Sequence, residues 1–240
     1  MSHNPTVLIA GASRGLGLEF VRQYAADGWK VFSCCRSPEN ATALQAVAQA
    51  NKAIQIEKLD VTDDASLAAL AKKLEGMALD LLINSAGIFS SRPGLSASDE
   101  DETQLFGSID SEGWMKVLRT NTIAPIMVAQ AFRRNLVGGK IAILSSRMGS
   151  IGKIRRVGDI AYRSSKAGLN AAVKSISFDL KNQNAIVAAL HPGFVKTDTG
   201  GSRAEISPEE SVTAMRKIIA SLQAENSGQF FNYDGQILPW

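Results

Sequence analysis

Short apolar runs alternate with amphipathic stretches along the whole chain. Val7–Ala10, Lys30–Cys34, Ala53–Lys58, Asp80–Ile83, Lys140–Leu144, Ala185–Leu190 and Gln229–Asn232 are rich in Val, Ile, Leu and Phe. Runs this short, with that content, predict strands buried on both faces. Between them, Leu16–Asp27, Glu39–Ala50, Ala65–Leu74, Glu112–Arg134, Ala161–Lys181 and Pro208–Leu222 carry the one-sided pattern of helices. Ser207-Pro208-Glu209-Glu210 supplies an N-cap, a first-turn proline and a capping-box glutamate. Gly28 predicts the end of the first helix.

Regular β-α-β alternation implies an α/β fold. Right-handed crossovers then give a doubly wound, seven-stranded parallel Rossmann sheet with helices on both faces. No linker or repeat divides the 240 residues, so residues 1–240 are expected to form a single nucleotide-binding catalytic domain.

Composition narrows the function classes. Apolar residues make up 45% and charged residues 20%, the profile of a soluble globular chain. A net charge of +3 is too small to argue for nucleic acid, yet it suits a small phosphate-bearing ligand. The opening Met-Ser-His-Asn-Pro-Thr lacks a basic leader region, and no run reaches membrane-spanning length. Cys34 and Cys35 are adjacent and have no other cysteine to pair with. The expectation is a cytoplasmic protein without disulfides, metal or membrane contact.

The first strand runs into Gly11-Ala12-Ser13-Arg14-Gly15-Leu16-Gly17 and then a helix. Glycines there let backbone approach a pyrophosphate, and the helix N-terminus favours an anion. A nicotinamide cofactor is therefore expected to contact Gly11, Ser13, Arg14, Gly15, Leu16 and Gly17. The second strand ends Cys34-Cys35-Arg36-Ser37, with no acid to bind a ribose 2′-hydroxyl. Arg36 fits a 2′-phosphate instead, with Arg14 as a second clamp, so NADP(H) is favoured over NAD(H). Asp60 and Val61, after the third strand, are candidates for the adenine edge and face. Asp60 reads equally as the N-cap of the next helix. Asn84-Ser85-Ala86-Gly87 follows the fourth strand, where small residues admit a cofactor.

Tyr162 and Lys166 are four apart in a helical stretch and share a face. A neighbouring ammonium and a nicotinamide charge are expected to lower the phenol into the range of a general acid–base group. Ser146, at the end of the fifth strand, is placed to hydrogen-bond a substrate carbonyl, with Ser145 the alternative. Asn121 is a polar residue inside a helix, where asparagine is mildly unfavourable, which points to a task.

Together the Gly11–Gly17 turn, Asn84–Gly87, Asn121, Ser145-Ser146, Tyr162-x-x-x-Lys166 and His191-Pro192-Gly193 resemble the classical short-chain dehydrogenase/reductase family. The likeness covers nearly the whole chain. Ala161–Asn170, His191–Asp198 and Phe231–Gly235 are similar to the C-factor and sniffer-type carbonyl reductase branch. The resemblance implies that Tyr162 passes the proton and that Lys166 holds the nicotinamide ribose. Ser146 would orient the carbonyl, and Asn121 would hold a water linking Lys166 to solvent. Pro192, Gly193, Val195 and Thr197 would meet the nicotinamide end. It further implies a small carbonyl or alcohol substrate and a homodimer or homotetramer formed through the long helices. Ala10 and Ser85 depart from the family's usual Thr and Asn.

Other readings remain beside this one. A cofactor-binding regulatory or signalling protein on the same fold is one. A sugar-nucleotide epimerase or dehydratase is another, but those enzymes carry a longer C-terminal part, and only about forty residues follow Thr197. The acidic stretch Ser96–Thr103 reads as a solvated loop. So do Lys153, Arg155 and Arg156 within Met148–Ile160; were these cations to face the crevice, an acidic substrate would follow. Asp198–Ser207, with its glycine pair, is expected to act as a substrate lid.

Overall fold

A computed structural model describes residues 4–240; the leader reading of Met1–His3 lies outside the described residues. Seven strands form one sheet: β1 Thr6–Ala10, β2 Lys30–Cys35, β3 Ile54–Lys58, β4 Leu81–Asn84, β5 Lys140–Leu144, β6 Ile186–His191 and β7 Gln229–Asn232. The order is β3-β2-β1-β4-β5-β6-β7 and every neighbouring pair is parallel. The predicted doubly wound sheet is therefore observed.

Period-two geometry sends successive side chains of a strand to opposite faces. On β1, Val7 and Ile9 join one core with Phe20 and Val21 of α1 (Gly15–Ala26), Leu44 of α2 (Thr42–Ala50) and Met215 of α7 (Pro208–Ser221). Leu8 and Ala10 enter the other core. Their partners are Leu67 of α3 (Asp64–Lys73), Val128 of α5 (Ala124–Ala131), and Leu169 and Val173 of α6 (Ile160–Asp179). Each of the four β1 residues is 0% exposed, which explains why the strand reads as apolar without alternation. Truncating Leu8 or Ile9 to alanine is expected to cost about 2–5 kcal/mol.

The helix ends follow their sequence signals. The Ser207 hydroxyl accepts from the Glu210 N–H (3.1 Å) and Glu210 accepts from the Ser207 N–H (3.1 Å), completing the capping box of α7. Lys140 closes the other end of α7, donating to the carbonyls of Ile219 (2.9 Å) and Ala220 (2.8 Å). Past α1, Gly28 has φ +78° and the Trp29 N–H bonds back to the Tyr24 carbonyl (3.1 Å).

The predicted helices differ from the observed ones in two places. Glu39–Ala50 begins as a single 3-10 turn, Pro38–Asn40, before α2. Glu112–Arg134 is α4 (Ser111–Leu118), one π turn (Arg119–Ile123), then α5. Pro125 has no N–H to give the Asn121 carbonyl its α-helical bond, and the wider turn accommodates this.

Candidate active site

The site lies where the strand order reverses. β1 is flanked by β2 and β4, so a crevice opens at their carboxyl ends. Gly11 has φ +86°, and a Cβ there would sit 2.6 Å from the Ala86 nitrogen. A Cβ on Gly17 would sit 2.0 Å from the Gly11 carbonyl oxygen. The turn is thus pressed against β4's exit and against the start of α1. No side chain caps α1, which leaves its first N–H groups and partial positive charge for an anion.

The other expected cofactor residues border the same crevice. Arg36 is exposed just beyond β2. Burial alone would raise the Asp60 carboxyl, but hydrogen bonds from Thr62 and the charge of Arg36 hold it below the usual range. Asp60 accepts from the Thr62 N–H (2.9 Å) and hydroxyl (2.7 Å). The N-cap of α3 is Asp63, not Asp60: it accepts from the Ala65 N–H (2.9 Å). Val61 packs on the second core. Asn84 is 2% exposed and donates to the Pro125 carbonyl (3.2 Å), tying β4 to α5. Ala86 lies against Gly11, and Gly87 lies beside Asn121 and Lys166. Ser13 is half-buried in the glycine turn, and Thr197 is the side chain nearest Gly15.

Leu16, Ser146, Tyr162, Pro192, Gly193, Val195 and Thr197 line one cleft of about 850 Å³. Within it the Ser146 hydroxyl, which accepts from the Met148 N–H (3.1 Å), lies beside the Tyr162 phenol. Ser145 borders the same cleft, but its hydroxyl is committed to Asn170 (2.6 Å). Lys166 is 5% exposed and donates to the Leu144 carbonyl (2.9 Å). Asn121 is 0% exposed. Its side chain accepts from the Ile88 N–H (2.9 Å) and donates to the Ile88 carbonyl (2.8 Å) and Ser165 hydroxyl (3.1 Å). Its side chain is thus committed to holding the β4 exit on α6.

The electrostatics correct one expectation. Burial pushes the Tyr162 phenol up to about 12; the nearby Ser146 hydroxyl opposes the rise and Asp159 adds to it. The Lys166 ammonium is 5.9 Å from the ring centroid and bonded to Leu144, so it does not offset the burial. Burial likewise pushes Lys166 down to about 8. The protein's own groups therefore keep the phenol protonated rather than lowering it.

Two segments read as solvated loops take part in the site. In Ser96–Thr103, Ser96 and Asp101 are each 5% exposed. Asp101 accepts from the Ser90 hydroxyl, and the Gln104 side chain just beyond donates to it (3.2 Å). Gln104 in turn accepts from the Tyr162 N–H (2.9 Å), capping the first turn of α6. No motif marks Gln104; its only sequence signal is an amide among acids. Lys153, Arg155 and Arg156 are exposed, yet they line the reaction cleft. Gly149 was also missed: a Cβ there would lie 2.6 Å from the Lys166 backbone carbon, so the turn after Ser146 packs flush on α6.

Asp198–Ser207, expected to be a lid, is tied down. Thr199 and Gly200 carbonyls accept from the Ala97 N–H (2.8 Å) and Ser98 hydroxyl (2.7 Å). Arg14 pairs with Asp198 at 2.7 Å, both side chains being exposed. That ion pair joins the glycine turn to this segment.

Comparison with known proteins fits the site. The family profile described as short chain dehydrogenase matches residues 5–207. The C-signal of Myxococcus xanthus is 37% identical, covering 68% of this chain and 93% of its own. Among solved structures, the carbonyl reductase Sniffer of D. melanogaster matches with a TM-score of 0.87 and 31% identity over 100% of both chains. The NADPH-bound carbonyl reductase from chicken fatty liver matches at 0.85 and 32%, again over 100% of both. The profile match runs from β1 through the cleft wall to the residue that caps α7, and the chain belongs to the short-chain dehydrogenase family.

Proposed function

We propose that this protein is an NADPH-dependent reductase of small carbonyl compounds, a single catalytic domain over residues 1–240. The observation that carries the reading is that Ser146 and Tyr162 line one cleft with Leu16 of the glycine turn, with buried Lys166 one helical turn beyond Tyr162 and no room for a Cβ at Gly11 or Gly17. The cradle fits a dinucleotide: Gly11 and Gly17 leave backbone-only walls, α1 has an uncapped N-terminus, and Arg36 stands where an NAD site would carry an acid. The NADPH-bound chicken carbonyl reductase supports the same cofactor. Bound NADPH would supply the hydride and, once oxidised, a positive ring charge that lowers the neighbouring phenol.

The chain's own residues do the rest. Ser146 and Tyr162 donate to the substrate oxygen, and Tyr162 delivers its proton there as the carbonyl is reduced. Lys166, which donates to the Leu144 carbonyl (2.9 Å), would hold the ribose of a bound cofactor and would favour the resulting phenolate. Asn121 acts through its main-chain carbonyl, which Pro125 leaves without an α-helical donor, and not through its committed side chain. Arg14 exchanges Asp198 for a phosphate. Pro192, Gly193, Val195 and Thr197 form the wall at the nicotinamide end. The name of the C-signal supports a second reading, a signalling role.

Tyr162→Phe is expected to abolish turnover while leaving NADPH affinity within about threefold, read by NADPH absorbance and by titration. A fully active variant on a good substrate would sink the assignment, and a preserved signalling output in it would favour the second reading. Arg36→Ala is expected to weaken NADPH at least tenfold more than NADH. Equal losses would remove the case for NADP(H). Among the described residues no helix is long and apolar enough to cross a membrane, and we place the enzyme in the cytoplasm. Met115, Ile123 and Phe178, 60%, 41% and 57% exposed along α4 to α6, support a homodimer or homotetramer through these helices.

A further inference from the structure

The reaction cleft has a strong charge bias. Six cations line it, Arg147, Lys153, Arg155, Arg156, Arg163 and Arg203, against one carboxylate, Glu205. The whole chain, by contrast, is nearly balanced, with 26 basic and 23 acidic residues. Three of the six cations have internal partners. Arg156 and Arg163 share Asp159 at 3.0 and 3.5 Å, and the Arg203 guanidinium donates to the Ser98 carbonyl. Arg147, Lys153 and Arg155 have no carboxylate partner among the described residues. Arg155 touches only its neighbour's carbonyl, Ile154, at 2.7 Å.

These charges reach into the chamber. His191, at the end of β6 on the cleft wall, is 8% exposed and its Nδ1 has no hydrogen-bond partner. Burial is the main reason its imidazole stays neutral; Arg147 adds to the effect, Asp234 opposes it and Lys153 adds a little more. Nor do these cations serve the cofactor's phosphates. The glycine turn and Arg36 lie at the ends of β1 and β2, whereas Arg147 and Lys153 follow β5, with β4 between. Like charges gathered along one cleft repel each other, and they focus the field on an anion.

Resting on the carbonyl reductase reading above, we propose that the substrate carries an anionic group, carboxylate or phosphate, remote from its carbonyl. The carbonyl sits on Ser146 and Tyr162. The anion sits at the cleft mouth on Arg147, Lys153 and Arg155.

The test uses three aldehydes of one shape: 4-formylbenzoate, its uncharged methyl ester, and 4-formylphenyl phosphate. With NADPH at low salt, the acid or the phosphate is expected to show kcat/KM at least tenfold above the ester, and the better of the two names the anion. Added salt should shrink the gap. The exposed double variant Lys153→Gln/Arg155→Gln should narrow the gap at least threefold, through KM. An ester reduced as well as both anions overturns the proposal, as does a gap that the double variant leaves untouched. Binding gives an arm free of turnover: terephthalate and phenyl phosphate titrated calorimetrically into NADP-loaded protein, wild type and double variant. Binding of either anion that the double variant weakens supports the charged mouth, even if no aldehyde is reduced. In that case it is the reductase reading that fails. No binding of either anion overturns the proposal.

Discussion

Lys166 shows how much one buried residue determines. Its ammonium lies inside the protein with a carbonyl and no carboxylate for company. Burial lowers its folded pKa to about 8, below the 10.5 of a free lysine. Above pH 8 the unfolded chain therefore holds the proton that the folded chain has lost, and the Lys166 contribution to stability rises with pH until near 10. The buried Cys34 and Cys35 thiols, raised from 9.0 by burial, work in the opposite direction from about pH 9, and the Tyr24 and Tyr162 phenols, each pushed up to about 12, join them above pH 10. Lys140 shifts downward as well through burial, so a variant is needed to isolate Lys166. Lys166→Met is expected to flatten the rise between pH 8 and 10 and to stabilise the protein at pH 7 by about 2–3 kcal/mol. Urea midpoints at pH 7 and 9.5 measure both, and an unchanged slope would refute the account. His191 governs the acid side. Its folded pKa near 3, against 6.5 free, means that stability falls as pH drops from 6.5 towards 3. His191→Asn should blunt that loss in the same titration.

The elements divide by how far their signals are local. The capping box at Ser207, the Gly28 stop and the seven apolar runs were legible because each depends on a few adjacent residues. The long helix Glu112–Arg134 concealed its π turn, since a one-residue bulge leaves the apolar pattern on both sides intact. Pro125 was the visible clue. Tyr162, Lys166, Ser146 and Asn121 could be picked out by spacing and order. Gln104 could not, because its task is a contact across 58 residues with the Tyr162 N–H. Nor could sequence show that Arg155 faces the cleft, since loop direction is settled by packing. The phenol's rise was missed for a similar reason: burial is a property of the fold, while charge proximity can be guessed from spacing. Two variants test the elements around Tyr162. Gln104→Ala removes a helix cap and should cost about 1 kcal/mol and lower kcat more than it raises KM for NADPH. Gly149→Ala forces a methyl into the Lys166 backbone and should cost about 1–3 kcal/mol, seen as a lower thermal midpoint.

At the scale of the molecule, sheet order places two ligands side by side. The dinucleotide cradle belongs to β1, β2 and β4, and the reaction cleft belongs to β5, β6 and α6. The two halves touch through Arg14 and Asp198. An exposed ion pair of this kind is worth little to folding, about 0–1 kcal/mol, so Asp198→Ala should leave the thermal midpoint almost unmoved. Its effect lies elsewhere. On the proposed reading a dinucleotide phosphate would compete with the Asp198 carboxylate for one guanidinium, so cofactor arrival would release one of the contacts that hold the segment beside the cleft, while its bonds to Ala97 and Ser98 stay. Traffic through the enzyme should then be sequential: cofactor in first and out last. Oxidised cofactor should inhibit competitively against NADPH and noncompetitively against the carbonyl compound. Asp198→Ala, which lacks that contact from the start, should relax the order of arrival.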